Sequence, residues 1–195
     1  MTFNLVDMAF HENGSQIIDI VNRKGIPTGE SCLKSEVHRL GYYHNTAHVW
    51  LFTTDGEILL QQRALSKEIC PGLWDVSAAG HVDTGEAIED AAIRETFEEL
   101  NYKLSKTDLI KVGVFLKEQT YPSGIKDNEF HHTYIACLKN SIDELIFDPI
   151  EVEAIKLVTI QTFIDLLNLS ASNNHFIASN YNYYINVIDA IKNKL

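Results

Sequence analysis

The chain has 195 residues, a formal net charge of -11, and 45% hydrophobic against 22% charged residues. That composition suits a globular domain with a real core, and the acidic balance excludes general binding to nucleic acid or to an anionic membrane surface. Cys32, Cys70 and Cys137 form no CxxC pair, and the first residues are too polar for a signal sequence, so the expectation is a cytoplasmic protein with reduced thiols and no membrane span.

Residues 1–15 read as a loosely held arm. Gln16–Val21 reads as a short strand, Asn22–Gly25 as its turn, and Ser35–Arg39 as a single helical turn. Tyr43–Thr53 is the next strand. The hairpin signal Asp55-Gly56 follows, and Glu57–Gln62 returns. Arg63–Cys70 reads as a loop, Pro71-Gly72 as a turn, and Leu73–Val76 as an extended segment. Beyond a central helix, Leu109–Lys117 and Asp127–Leu138 read as strands around a polar loop, Glu118–Lys126. Ser141–Ile150 reads as irregular, Ile155–Thr159 as a strand and Ile160–Leu167 as the start of a helix. Ser170–Asn174 reads as a polar loop, and Tyr181–Lys194 as an amphipathic helix. Strands on both sides of a helix imply a mixed sheet between helical layers. A single domain over 1–195 is expected. Residues 1–40 form its extension, 41–167 its core and 168–195 its last helix.

The central helix carries the chemistry. Gly80–Tyr102 reads GHVDTGEAIEDAAIRETFEELNY, and nothing from Gly85 to Leu100 breaks a helix. Thr84 or Gly85 is the expected N-cap. On a helical wheel Glu95, Glu98 and Glu99 share one face, and Ile93, Phe97 and Leu100 take roughly the opposite one, which needs a core. Like charges at that spacing repel, and the stretch holds no lysine. A cation at the three glutamates is therefore expected, and Mg²⁺ commonly binds carboxylates together with substrate phosphates. Arg94 is placed to hold a neighbouring carboxylate. His44 and His48 share a strand face, as do Asp127 and Glu129, whereas His131 and His132 alternate. Arg63 and Lys67 are candidate phosphate contacts.

The stretch resembles the Nudix box, GX5EX7REUXEEXGU with U apolar. Gly80, Glu86, Arg94, Glu95, Glu98, Glu99 and Tyr102 match, while Thr96 replaces an aliphatic residue and Asn101 a glycine. Asn is the next-best residue for the left-handed position that follows a helix. The resemblance implies the α/β Nudix-type α/β/α sandwich with a mixed central sheet. It also implies hydrolysis of a diphosphate bonded to a further moiety X, with Mg²⁺ or Mn²⁺ on Gly80, Glu95, Glu98 and Glu99. The catalytic candidates are Glu98 as general base, Glu129 as second choice, Glu95 and Arg94.

A second set of residues is similar to the isopentenyl-diphosphate isomerase branch. It comprises His44, Trp50-Leu51-Phe52, Asp55-Gly56, Gln62-Arg63-Ala64, Ser66-Lys67, Pro71-Gly72-Leu73-Trp74, Ser77, Gly80-His81 and Asp127-Asn128-Glu129. In that branch a cysteine precedes the box glycine, and here the position is Ala79. By the same resemblance His44, His81 and Glu129 fall at metal-site positions, and His44, His81, Arg63 and Lys67 are candidate substrate contacts. The expectation is an isomerase-like Nudix hydrolase acting on a small-molecule diphosphate. Isomerisation is the alternative, and a non-catalytic ligand-binding module is a further one. Specificity is expected from Glu118–Lys126 and the termini, and a homodimer is the default assembly.

Overall fold

The computed structural model describes residues 16–173, Phe176 and 181–195; the expected arm over 1–15 lies outside them. The described strands are β1 (Ile17–Val21), β2 (Pro27–Leu33), β3 (Tyr43–Phe52), β4 (Glu57–Arg63), β5 (Trp74–Asp75), β6 (Ala78–His81), β7 (Ile110–Thr120), β8 (Lys126–Cys137) and β9 (Val152–Thr159). The helices are α1 (Lys34–Leu40), α2 (Ile88–Leu100), α3 (Ile160–Asn173) and α4 (Tyr181–Lys192). The strand β3 is the hub. It runs parallel to β8 over its whole length and antiparallel to β6, while β7 pairs with β8 and β9 with β4.

Strand alternation sends the side chains of β3 to two cores. Trp50 and Phe52 join Ile135, Phe163, Tyr184, Val187 and Ile188 beneath α3 and α4. Val49 and Leu51 join Ala78, Ala91, Ala92, Leu100 and Tyr134 beneath α2. A mixed sheet between helical layers is therefore what forms. No described helix is long and apolar enough to cross a membrane.

Several expectations are corrected. The helix α2 starts at Ile88 with Ala87 as N-cap, not at Thr84 or Gly85. The preceding residues instead form a turn in which the Glu86 amide donates to the Asp83 carbonyl and the Asp83 amide to the Glu86 carboxylate. Thr96, not Phe97, enters the core. Thr96 is fully buried with its hydroxyl donating to Ala92 O at 2.7 Å, whereas Phe97 is 43% exposed. Asn101 adopts the left-handed conformation, φ +50°, as its place after the helix predicts. Much of Glu118–Lys126 is strand rather than loop, because β7 runs to Thr120 and β8 begins at Lys126. The expected loop at Ser170 is helical, since α3 continues to Asn173. Strands β2 and β6 were not expected: β2 is a polar, largely exposed edge, and the four residues of β6 lack any β-branched side chain.

Candidate active site

Parallel pairing of β3 with β8 sets His44 beside Glu129, and antiparallel pairing of β3 with β6 sets Thr46 opposite His81. The one-turn-plus helix α1 ends at Gly41, φ +74°, and the chain reverses there into β3. That reversal lays His38 over the same spot. The three imidazole centroids of His38, His44 and His81 are each 5.1 Å from the other two. One ligand atom from each of His38, His44, His81 and Glu129 lies within 4.8 Å of all the others, which is the one such group among the described residues.

Partners behind the rings turn their lone pairs inward. His44 Nδ1 donates to Tyr42 O at 3.0 Å, which leaves Nε2 as the acceptor. That Nε2 is buried with no hydrogen-bond partner and faces Glu129 Oε1 at 3.6 Å. His38 Nδ1 bonds to Lys126 O at 3.4 Å and forms an ion-pair contact with Asp127 Oδ1 at 3.0 Å, and His38 Nε2 meets His81 Nε2 at 3.0 Å. Burial opposes a charge on His38, but Asp127 outweighs it and raises the ring's pKa. Burial, with Lys34 and His44, holds His81 well below the usual imidazole value. Burial works against ionised Glu129, yet the bond from His131 at 2.8 Å and the His44 ring hold its carboxyl well below the usual range. An acceptor nitrogen sealed without a donor, beside an ionised carboxylate, is the donor set of a cation site. Imidazole-rich sets suit borderline transition ions better than Mg²⁺.

The box glutamates sit on the other side of β6. Gly80 is packed so closely that a Cβ there would lie 1.9 Å from Glu95 Cδ. Arg94 donates to Glu86 at 2.8 and 2.9 Å, to Glu95 at 2.7 Å, to Glu98 at 3.1 Å and to His81 O at 2.9 Å. Glu99 Oε2 accepts from Gln61 Nε2 at 3.0 Å and from Ala79 N at 3.1 Å. Burial, then Glu95 and Glu151, push the Glu99 carboxyl well above its ordinary value, and burial raises Glu95. These oxygens are divided between Arg94 on one side and the Gln61 side chain with the Ala79 amide on the other. Arg63 bonds to Ile69 O at 3.0 Å and approaches Asp75 at 3.6 Å, and Lys67 pairs with Glu151.

Two residues escaped the sequence reading. His38 follows no spacing to the other ligands, and only the reversal at Gly41 brings it in. Lys34 is half-buried; burial lowers its pKa, and Glu95, Glu151 and Glu129 oppose that shift. Its position at the start of a short helix, next to a polar edge strand, gives no local signal.

Residues 42–179 match the model of the family described as NUDIX domain. A protein of Arabidopsis thaliana named "Nudix hydrolase 3" is 37% identical over 154 residues, covering 77% of this chain and 20% of its own length. An isopentenyl-diphosphate Delta-isomerase of Streptomyces coelicolor is 33% identical over 144 residues, covering 73% of this chain and 71% of its own. The chain thus spans only a fifth of the Arabidopsis relative. Among solved structures, DR0079 of Deinococcus radiodurans has the same fold, with a TM-score of 0.64 at 20% identity, over 91% of this chain and 98% of that one.

Proposed function

This chain belongs to the Nudix domain family, and from that premise we propose that it hydrolyses the diphosphate bond of a small molecule, diphosphate–X, with the help of divalent cations. His38, His44, His81 and Glu129 would hold one cation of the borderline type. Glu95, Glu98 and Glu99, with the Gly80 carbonyl, would hold Mg²⁺ or Mn²⁺ arriving with the substrate. Bound cations supply charge neutralisation and polarisation of the phosphate oxygens.

The chain's own groups do the rest. Lys34, Lys67 and Arg63 bind phosphate oxygens, Lys67 by exchanging Glu151 and Arg63 by exchanging Asp75 for substrate. Arg94 holds Glu95 in place over Gly80. Glu98 has the most exposed of the three box carboxylates, with 38% of its side chain accessible, and accepts the proton of the attacking water. Attack on phosphorus then breaks the bridging P–O bond, and the acceleration comes from positioning and charge stabilisation.

The observation that carries this reading is the buried, partnerless His44 Nε2 among two further imidazoles and an ionised carboxylate. The isomerase relatives favour a second reading, conversion of isopentenyl to dimethylallyl diphosphate. Ala79 opposes it, because it offers no proton where the sheet faces His48. The test is monophosphate release from a panel of diphosphates with Mg²⁺ or Mn²⁺. Divalent-dependent release, lost far more in Glu98→Gln than in a conservative surface variant, is the expected result. Equal turnover by Glu98→Gln and Glu99→Gln would remove the assigned base. Isomerisation without phosphate release would replace the reading.

A further inference from the structure

The proposed chemistry makes no use of His48. It stands opposite Ala79 in the β3–β6 ladder, on the sheet face that also carries His44 and His131. Its ring stacks on His131 with centroids 4.0 Å apart. Burial, and then His131, hold its pKa well below the ordinary value, so the ring is neutral at pH 7. A neutral imidazole has one N–H and one lone pair, and its partners decide which nitrogen holds which.

The partner is Tyr183, reaching in from α4. Its hydroxyl lies 2.8 Å from His48 Nδ1 and 2.8 Å from Trp50 Nε1. An indole nitrogen only donates, so Trp50 occupies a lone pair of the Tyr183 oxygen. The phenolic proton is then left for an acceptor, and of His48 Nδ1 at 2.8 Å and the Thr133 hydroxyl, which itself donates to His131 O, His48 Nδ1 is the stronger acceptor. Donation runs from the Trp50 ring to the phenol and from the phenol to His48 Nδ1. The imidazole proton therefore sits on Nε2. Among the described residues that nitrogen makes no hydrogen bond, and the His48 side chain is only partly buried.

We propose that His48 is a substrate contact: its Nε2–H donates to an acceptor oxygen on the X moiety, and Tyr183 and Trp50 are positioning residues that fix this tautomer. The inference rests on the diphosphate-hydrolase reading and narrows its substrate class. The same sheet face carries Lys117, which pairs with Glu129 across the β7–β8 ladder and donates to the Tyr121 hydroxyl at 3.3 Å. An N–H of His48 on the face that also carries the ammonium of Lys117 matches an X group bearing hydroxyl, carbonyl or further phosphate oxygens. A hydrocarbon X would leave these donors unpaired and bind less well.

The experiment uses the full chain with ¹⁵N-labelled histidine. Nitrogen-resolved spectra should show His48 protonated at Nε2. That resonance should move when a methylene-bridged ADP-ribose analogue is added, and stay in place with dimethylallyl diphosphate. Tyr183→Phe should redistribute the proton between the two nitrogens. In turnover, His48→Leu should raise KM for ADP-ribose about tenfold or more with kcat within about twofold, and His48→Gln, which keeps a donor, should recover part of the loss. A wild-type proton on Nδ1, with the phenol accepting from both rings and turning its own proton to Thr133, would overturn the proposal. Equal KM losses for polar and hydrocarbon X would also overturn it. The spectra need no catalysis. An absence of divalent-dependent turnover would thus defeat the hydrolase reading alone, and should His48→Leu not fold, the wild-type spectra decide.

Discussion

The imidazole group and the box carboxylates are built in opposite ways. At the imidazole group the partners lie behind the ligands: Tyr42 O behind His44, Lys126 O and the Asp127 carboxylate behind His38, and His131 behind Glu129. Each one turns an acceptor atom toward a common centre. At the box the bonds lie in front, because Arg94 spans Glu86, Glu95 and Glu98. Buried imidazoles must be preorganised, since an unpartnered nitrogen deep in the fold has no water to turn to. Clustered carboxylates repel one another, and an internal guanidinium relieves that repulsion while leaving the exposed Glu98 exchangeable. On this account the imidazole group is a resident site, and the box becomes a site together with the substrate's phosphates.

The largest effect should come from breaking the resident site. His44→Ala removes the buried acceptor, and affinity for Mn²⁺ measured by titration calorimetry should fall at least about 100-fold. Unchanged affinity would place the resident cation elsewhere. Next comes the box. Gly80→Ala would force Glu95 aside, because its new Cβ would sit within 1.9 Å of Glu95 Cδ. Divalent-dependent turnover should fall about 100-fold while Mn²⁺ affinity at the imidazole group stays within about threefold. Loss of both together would mean that the two regions form one site.

The smallest effect lies on the opposite sheet face, and it sharpens the contrast between titratable groups that work and groups that are merely buried. His132 bonds to Asn45 at 3.0 Å, and burial, then Lys111, lower its pKa to about 4. The unfolded chain, with the ordinary value of 6.5, binds this proton first as pH falls. The group's contribution to stability is therefore present above about pH 6.5 and lost as pH falls toward 4. His132→Gln should flatten the melting temperature over that window by a few degrees without changing turnover at pH 7.5, as differential scanning calorimetry would show. An unaltered pH profile would mean that the ring is solvated.

The box was legible in the sequence because its meaning is local. One helix sets the spacing of Arg94, Glu95, Glu98 and Glu99, and one left-handed residue, Asn101, ends it. The long strands β3, β4 and β8 were legible from their alternation. What stayed hidden depends on distant contacts. His38 gains its role from a reversal at Gly41, and Lys34 gains its role from carboxylates far away in the chain. Phe97 was expected inside by its apolar character. A threonine whose hydroxyl returns to its own helix fills that place instead, a swap that periodicity does not distinguish. The partners that turn the rings are equally non-local: Tyr42 contributes only its carbonyl, and Tyr183 arrives from the last helix.

The most direct measurement is an anomalous difference map from a crystal of the full chain grown with Mn²⁺ and no substrate. The account predicts one strong peak bounded by His38 Nε2, His44 Nε2, His81 Nε2 and the Glu129 carboxylate, with Arg94 still on the box glutamates. An empty imidazole group, with manganese found only along α2, would contradict it.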